Sequence, residues 1–155
     1  GPIGTPGGID QPGQHTRADG LPNPVPPDAG NDNPPAVAPS GQVHCSIGDW
    51  AKFIIALMKE RSDGGLLEPD TRKHLLTPQF GGDYAGGWLQ VETASDDGPI
   101  LQHAGSNTMN FCFAMILPEH QSAVLIAVNR GGNLDILAHE SGLLAKKLFS
   151  KYPID

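Results

Sequence analysis

The run His103-Ala104-Gly105-Ser106-Asn107 concentrates more chemistry in five residues than any other stretch of the chain. An imidazole can give or take a proton near neutral pH, a hydroxyl can donate and accept, and a glycine lets another backbone come close. On spacing alone the same run reads as a strand end with a polar turn, because single histidines are more often structural than catalytic. Other groups point less directly to chemistry. His44 and Cys45 could join His103 and Cys112 in a zinc set, but no Cys-x-x-Cys or His-x-x-x-His pair is present, so no metal is expected. Cys112, inside an apolar run, reads as a small buried hydrophobe. Asp96-Asp97 before Gly98 reads as a turn rather than a carboxylate dyad, and Trp50 and Trp88 read as core residues. Asn133, after Gly131-Gly132, fits a helix N-cap at least as well as a ligand contact.

The elements that must position these residues are legible in the periodicity. Ser46 followed by Asp49 matches a capping box, and Trp50, Phe53, Ile54, Leu57 and Met58 recur at helical spacing until Ser62-Asp63-Gly64-Gly65. A short helix is expected over Glu68 to Leu76, with Pro69 in its first turn and Pro78 beyond its end. Four strand-like runs follow, over Trp88–Val91, Ile100–His103, Met109–Leu117 and Ala123–Val128. In the third, Met109, Phe111, Phe113, Met115 and Leu117 alternate with Asn110, Cys112, Ala114 and Ile116, which predicts cover on both faces. Pro118 to Gln121 reads as a hairpin turn, and Leu134 to Phe149 as a closing helix. Helix, antiparallel strands and helix make an α+β fold, an antiparallel sheet with flanking helices.

Composition sets the limits. Ten of the fifteen prolines and only one basic residue, Arg17, precede residue 40, so residues 1–45 are expected to form, rather than a flexible linker, a Pro/Gly-rich extended loop on a body of which 46–155 is a part. Stretches such as Pro22 to Pro27 and Asn33-Pro34-Pro35 argue against helix and sheet ladders by removing donors. With 20 glycines and 15 prolines the chain is no simple helix bundle. A net charge of -7 without a Lys/Arg cluster argues against nucleic acid and anionic membrane surfaces. No apolar run approaches the roughly 18 residues of a membrane span. Two cysteines make no disulfide scaffold. Beginning Gly1-Pro2-Ile3 without an initiator Met, the chain is expected to be a processed product or a piece of something longer.

Several ordered blocks carry a resemblance: Gly41-Gln42-Val43-His44-Cys45-Ser46 into Asp49-Trp50-Ala51-Lys52-Phe53, Leu66-Leu67-Glu68-Pro69, Leu76-Thr77-Pro78-Gln79, Tyr84-Ala85-Gly86-Gly87-Trp88, His103-Ala104-Gly105, Leu117-Pro118-Glu119 and Asn129-Arg130. In that order, the set resembles the C-terminal half of the serine β-lactamase and penicillin-binding-protein superfamily, on the class C side with its esterases and D-amino peptidases. The resemblance implies the C-terminal part of a β-lactamase/transpeptidase-like fold. In such proteins a Ser-x-x-Lys nucleophile, a Tyr-x-Asn element and a Lys-Thr-Gly-like box line one cleft. His103-Ala104-Gly105 resembles the third element, with His in place of Lys. It implies catalytic roles for His103, holding or polarising substrate, and for Ser106, whose backbone N–H would serve an oxyanion hole. Ala104, Gly105, Asn107 and Asn133 are then implied as substrate-binding residues, with an amide or ester as substrate and no cofactor.

The departures are equally concrete. No serine is followed by lysine three places on, and neither Tyr84 nor Tyr152 by asparagine two places on. The implied parent is a serine hydrolase working through an acyl-enzyme, with its nucleophile in an N-terminal half that would be the partner of this chain. Relatives with His at this point are more often peptidases and esterases than true β-lactamases, and an exported location, periplasmic or extracellular, is the matching expectation. The alternative is a non-catalytic binding module that keeps the fold without the nucleophile.

Overall fold

The computed structural model describes residues 11–18, 20–26, 32–92 and 98–152. Its centre is a four-stranded antiparallel sheet, β3 (Leu89–Val91), β4 (Ile100–Ser106), β5 (Phe111–Leu117) and β6 (Ser122–Val128), in sequential order. The alternation of β5 decides the layering. Phe111, Phe113 and Met115 point to one face and bury against Leu137 and Ala145 of the C-terminal helix. Ala114 and Ile116 point to the other and meet Ile54, Leu57 and Met58 of an earlier helix, with Leu101 and Trp88 beside them. The sheet is therefore covered on both sides, as the paired apolar faces of this strand require. Fully burying one large apolar side chain contributes about 1.5–3 kcal/mol, so these two clusters supply much of the folding free energy.

The earlier helix runs over Ile47–Met58, the short one over Pro69–Leu76 and the closing one over Leu134–Lys151; with the four-residue turn Ala38–Gly41 in front, they are α1 (38–41), α2 (47–58), α3 (69–76) and α4 (134–151). Ser46 caps α2: its hydroxyl accepts from the Asp49 N–H at 3.1 Å and donates to the Asp49 carboxylate at 2.9 Å. The helix stops at Met58, before the Ser62 to Gly65 run that the sequence offers as its end, because Lys59 turns to an extended backbone and the chain enters a 3-10 turn at Arg61. Asn133 caps α4, accepting from the Ile136 N–H at 3.2 Å.

The proline-rich start departs from expectation. β1 (Gln14–Ala18) and β2 (Leu21–Val25) pair as an antiparallel hairpin, although β2 reads Leu-Pro-Asn-Pro-Val. Pro22 and Pro24 lie two residues apart, so their missing donors fall on the same side of the strand, and among the described residues β2 has a ladder partner on one side alone. Likewise Pro35 opens a 3-10 turn, where an N–H would have no partner anyway, and this turn leads into α1. The hairpin lies on the end of the main sheet. His15 N–H donates to Met109 O at 3.2 Å, Gly131 N–H to His15 O at 2.8 Å, and Asn129 Nδ2 to Gly13 O at 3.0 Å. A Cβ on Gly131 would collide with the Thr108 carbonyl, so only glycine fits at this junction.

Replacing Ser46 with Ala is expected to lower stability by about 1 kcal/mol, as for a typical lost N-cap, in chemical denaturation. Asp49 is held below the usual carboxylate range by its hydrogen bonds from Lys52 and then Ser46. Because its folded value is the lower one, the cap's contribution is complete above about pH 4 and is lost as pH falls through the folded value; a midpoint that stays flat down to pH 2 would contradict this.

Candidate functional site

The histidine run forms the C-terminal half of a strand longer than the expected Ile100–His103, with Asn107 just beyond it. β4 continues through Ser106 and pairs with β5 as far as Ser106 opposite Phe111. Gly105 and the polar residues weaken the strand signal in the sequence, but the ladder to β5 overrides it. The two edges of β4 differ. β3 pairs only with Ile100, Leu101 and Gln102, and among the described residues no strand pairs with the outer edge of His103 to Ser106. Among the described residues no strand occupies that edge, where an extended ligand could add by main-chain hydrogen bonds, while the inner edge is fixed by β5.

Register sorts the side chains. His103 and Gly105 share a face with Ala114 and Cys112, and Cys112 lies opposite Ala127 of β6. α2 and Trp88 cover this face at Leu101 and Ile116 but leave His103 and Ala127 exposed. Cys112 is exposed too, so the buried position expected for it does not hold: the alternation is right, but α2 stops short of this end of the sheet. The strands beside its sulfur still shade the thiol, and desolvation pushes its pKa above the ordinary value. Ala104 and Ser106 point to the opposite face from His103. The Ser106 hydroxyl donates to Asn110 O at 2.6 Å and accepts from the Thr108 N–H at 2.9 Å. Ser106 and His103 therefore do not form a nucleophile–base pair, and what Ser106 can offer the open edge is its backbone.

A turn that the sequence did not mark as functional brings two more groups to His103. Gly86 N–H donates to Leu75 O of α3 at 2.8 Å, and a Cβ there would press on that carbonyl at 2.9 Å. The turn is closed by Ala85 N–H to Trp88 O at 2.7 Å, with Gly87 at φ +92°. So pinned, it sets Trp88 edge-on to the His103 ring, centroids 6.2 Å apart, and the Tyr84 hydroxyl 3.5 Å from His103 Nδ1. That last distance is the outer reach of a hydrogen bond. The sequence signal was present in Tyr84-Ala85-Gly86-Gly87-Trp88, but spacing alone does not reveal which strand the turn folds onto.

Tyr84 and His103 border a cavity of about 560 Å³ whose other wall is α4. Its floor includes Phe113 and Met115, and His139 and Lys146 stand on the helix side. None of the described residues that line it is acidic, in a chain whose net charge is -7. His139 and Lys146, seven residues apart on one helical face, line this cavity on the Ala104 face of the sheet, opposite the face that carries the His103 ring.

Compared with known proteins, the chain matches no family model, no curated protein and no solved structure. The site therefore rests on its own geometry.

The remaining sequence candidates have local duties. Asn107 Oδ1 accepts from the Asn110 N–H at 2.7 Å and the Met109 N–H at 3.1 Å, and Asn107 Nδ2 donates to Gln14 Oε1 at 3.4 Å. It organises the β4–β5 loop, where Thr108 adopts a left-handed φ of +74°, and ties it to the hairpin. Asn133 is occupied in capping α4. Asp96 and Asp97 lie outside the described residues. Among the described residues no three His, Cys, Asp or Glu side chains converge to hold a metal.

Asn107→Ala is expected to cost about 1–3 kcal/mol by orphaning two backbone donors, whereas Asn107→Asp keeps the acceptor and most of the stability. Denaturation of both variants checks this; equal stability of Ala and wild type would leave Asn107 free for a ligand instead.

Proposed function

We propose that this chain is the C-terminal portion of a serine hydrolase of β-lactamase-like type, acting on an amide or ester through an acyl-enzyme. The observation that carries the reading is the open outer edge of β4 at His103 to Ser106, beside a glycine and an exposed imidazole. An extended acyl substrate can add to that edge by main-chain hydrogen bonds, and Gly105 lets it approach the strand closely. The ordered resemblance around His103-Ala104-Gly105 supports the same reading, in which the sheet belongs to a β-lactamase/transpeptidase-like fold.

In this reading a serine outside these 155 residues attacks the carbonyl carbon. The oxyanion that forms is met by the Ser106 N–H, and the amine or alcohol departs with a proton. Water then attacks the ester carbonyl, releasing the acid and restoring the serine. His103, its ring set by Trp88 and Tyr84, holds or polarises the substrate at the cleft. Ala104 keeps the edge narrow, and Asn107 and Asn133 act by shaping the loop and the helix start beside it. No cofactor enters these steps. The partner is the N-terminal half of the same protein, and the location is outside the cytoplasm, periplasmic or extracellular.

A second reading, a binding module without catalysis, is favoured by one fact: no Ser-x-x-Lys or Tyr-x-Asn occurs in the chain. Intact mass of the full-length gene product after treatment with a fluorophosphonate, and separately with a penicillin, divides the two. The hydrolase reading expects an adduct on a serine outside these residues, formed roughly 10²–10⁴-fold more slowly in His103→Ala if His103 assists proton transfer, with unchanged circular dichroism. No adduct with either reagent leaves the binding module; an adduct at an unchanged rate removes His103 from the mechanism.

A further inference from the structure

The chain's two cysteines lie far apart in sequence, Cys45 in the approach to α2 and Cys112 on β5, and the fold carries them to the same end of the sheet. Asn33 sets the approach. Its Nδ2 donates to Gly41 O and to Asn107 O, each at 3.4 Å, and its backbone carbonyl accepts from Gln42 Nε2. Residues 41 and 42 are therefore held against the β4–β5 loop, next to the last pairs of the ladder, Gly105 with Cys112 and Ser106 with Phe111. From there the chain has to reach Leu101 and Ile116 toward the opposite end, because Ile54, Leu57 and Met58 of α2 bury against them. The seven residues from Ile47 to Ile54 rise about 10 Å, the length of about three strand residues. That spans the distance from the Ala114 to Ile116 stretch back to Cys112, so α2 begins over the Cys112 end, with Cys45 two residues ahead of it. Cys112 points to this same face, where its Sγ would lie 3.6 Å from a Cβ on Gly105. Both thiols are free, and both are exposed among the described residues. Cys112 also senses its neighbour: its pKa is raised first by desolvation and then further by the charge that Cys45 would carry.

We propose that Cys45 and Cys112 are a redox pair that closes into a disulfide by exchange with a small organic disulfide such as oxidised glutathione. The Cys45 thiolate attacks one sulfur of the reagent, forming a mixed disulfide and expelling one glutathione thiolate. The Cys112 thiolate, shaded by the strands beside it, then attacks the Cys45 sulfur and expels the second. The two protein thiols are oxidised, the reagent disulfide is reduced to two thiols, and the two protons lost by the cysteines end on the glutathione sulfurs. The bond fastens the start of α2 to β5 on the face that carries His103, next to Gly105. Both of its ends belong to this chain, so it does not depend on what lies against either edge of the sheet. By closing the long loop from Cys45 to Cys112, it removes freedom from the unfolded chain and so stabilises the folded one.

Non-reducing peptide mapping of the full-length gene product tests the pair without any assay of activity. The folded protein is incubated with oxidised glutathione, blocked with N-ethylmaleimide and cleaved with trypsin, which leaves Cys45 in the peptide 18–52 and Cys112 in the peptide 74–130. The two peptides are expected to be joined, two hydrogens lighter than their sum, and to separate on reduction. The oxidised protein should also unfold at a higher denaturant concentration than the reduced one, a difference that Cys45→Ser and Cys112→Ser each abolish. Peptides carrying only glutathione or maleimide, a bond from either cysteine to any other, or joined peptides that appear only after unfolding in guanidinium would overturn the proposal. So would a joined protein no more stable than the reduced one, because a bond that fits the folded positions adds no strain to them.

Discussion

Everything in this chain hangs on β5 being buried from both sides. Phe111, Phe113 and Met115 hold α4 against one face, while Ala114 and Ile116 hold α2 against the other. A strand with two apolar faces is costly to leave exposed, so the helices before and after the sheet are drawn onto opposite sides and the neighbouring strands are locked in register. Ala145, fully buried against the phenylalanines, allows α4 its close approach.

The same arrangement decides where chemistry can occur. A four-stranded sheet with covered faces still has two edges, and they differ in character. The β4 edge carries a histidine, a glycine and a hydroxyl beside a turn that supplies Tyr84 and Trp88. The β6 edge carries only apolar and small side chains. Polar groups at one edge suit recognition of a ligand with its own amide or ester, and an apolar edge suits another strand. The function proposed at β4 therefore depends on a feature of length: β3 ends at Val91, and among the described residues nothing pairs with the outer side of β4 from His103 to Ser106.

Much of this could be read from the residues in order. Ser46 with Asp49, the spacing of Ile54, Leu57 and Met58, and the alternation through β5 each depend on neighbours in sequence, and each placed its element within a few residues. What was hidden depends on neighbours in space. Pro22 and Pro24 looked incompatible with a ladder because the rule against strand proline concerns strands paired on both sides, and β2 needs only one. β4 looked shorter than it is because Gly105 has no side chain to mark a strand, while the partner that makes it one is β5. Cys112 sat at a position of the right parity, but whether α2 reaches it is a matter of helix length and placement. The approach of Tyr84 to His103 required knowing that Gly86 is pinned to Leu75.

The central claim is that the outer edge of β4 is open from His103 to Ser106 and closed before it. Hydrogen exchange resolved to single amides along β4 and β5 tests it directly. β5, paired on both sides, should show the slowest exchange, close to that set by global unfolding, and outward-facing amides within 103–106 should exchange much faster than their inward-facing neighbours. Uniform slow exchange along the whole of β4 would mean that another part of the protein already covers that edge, and the site proposed there would be lost.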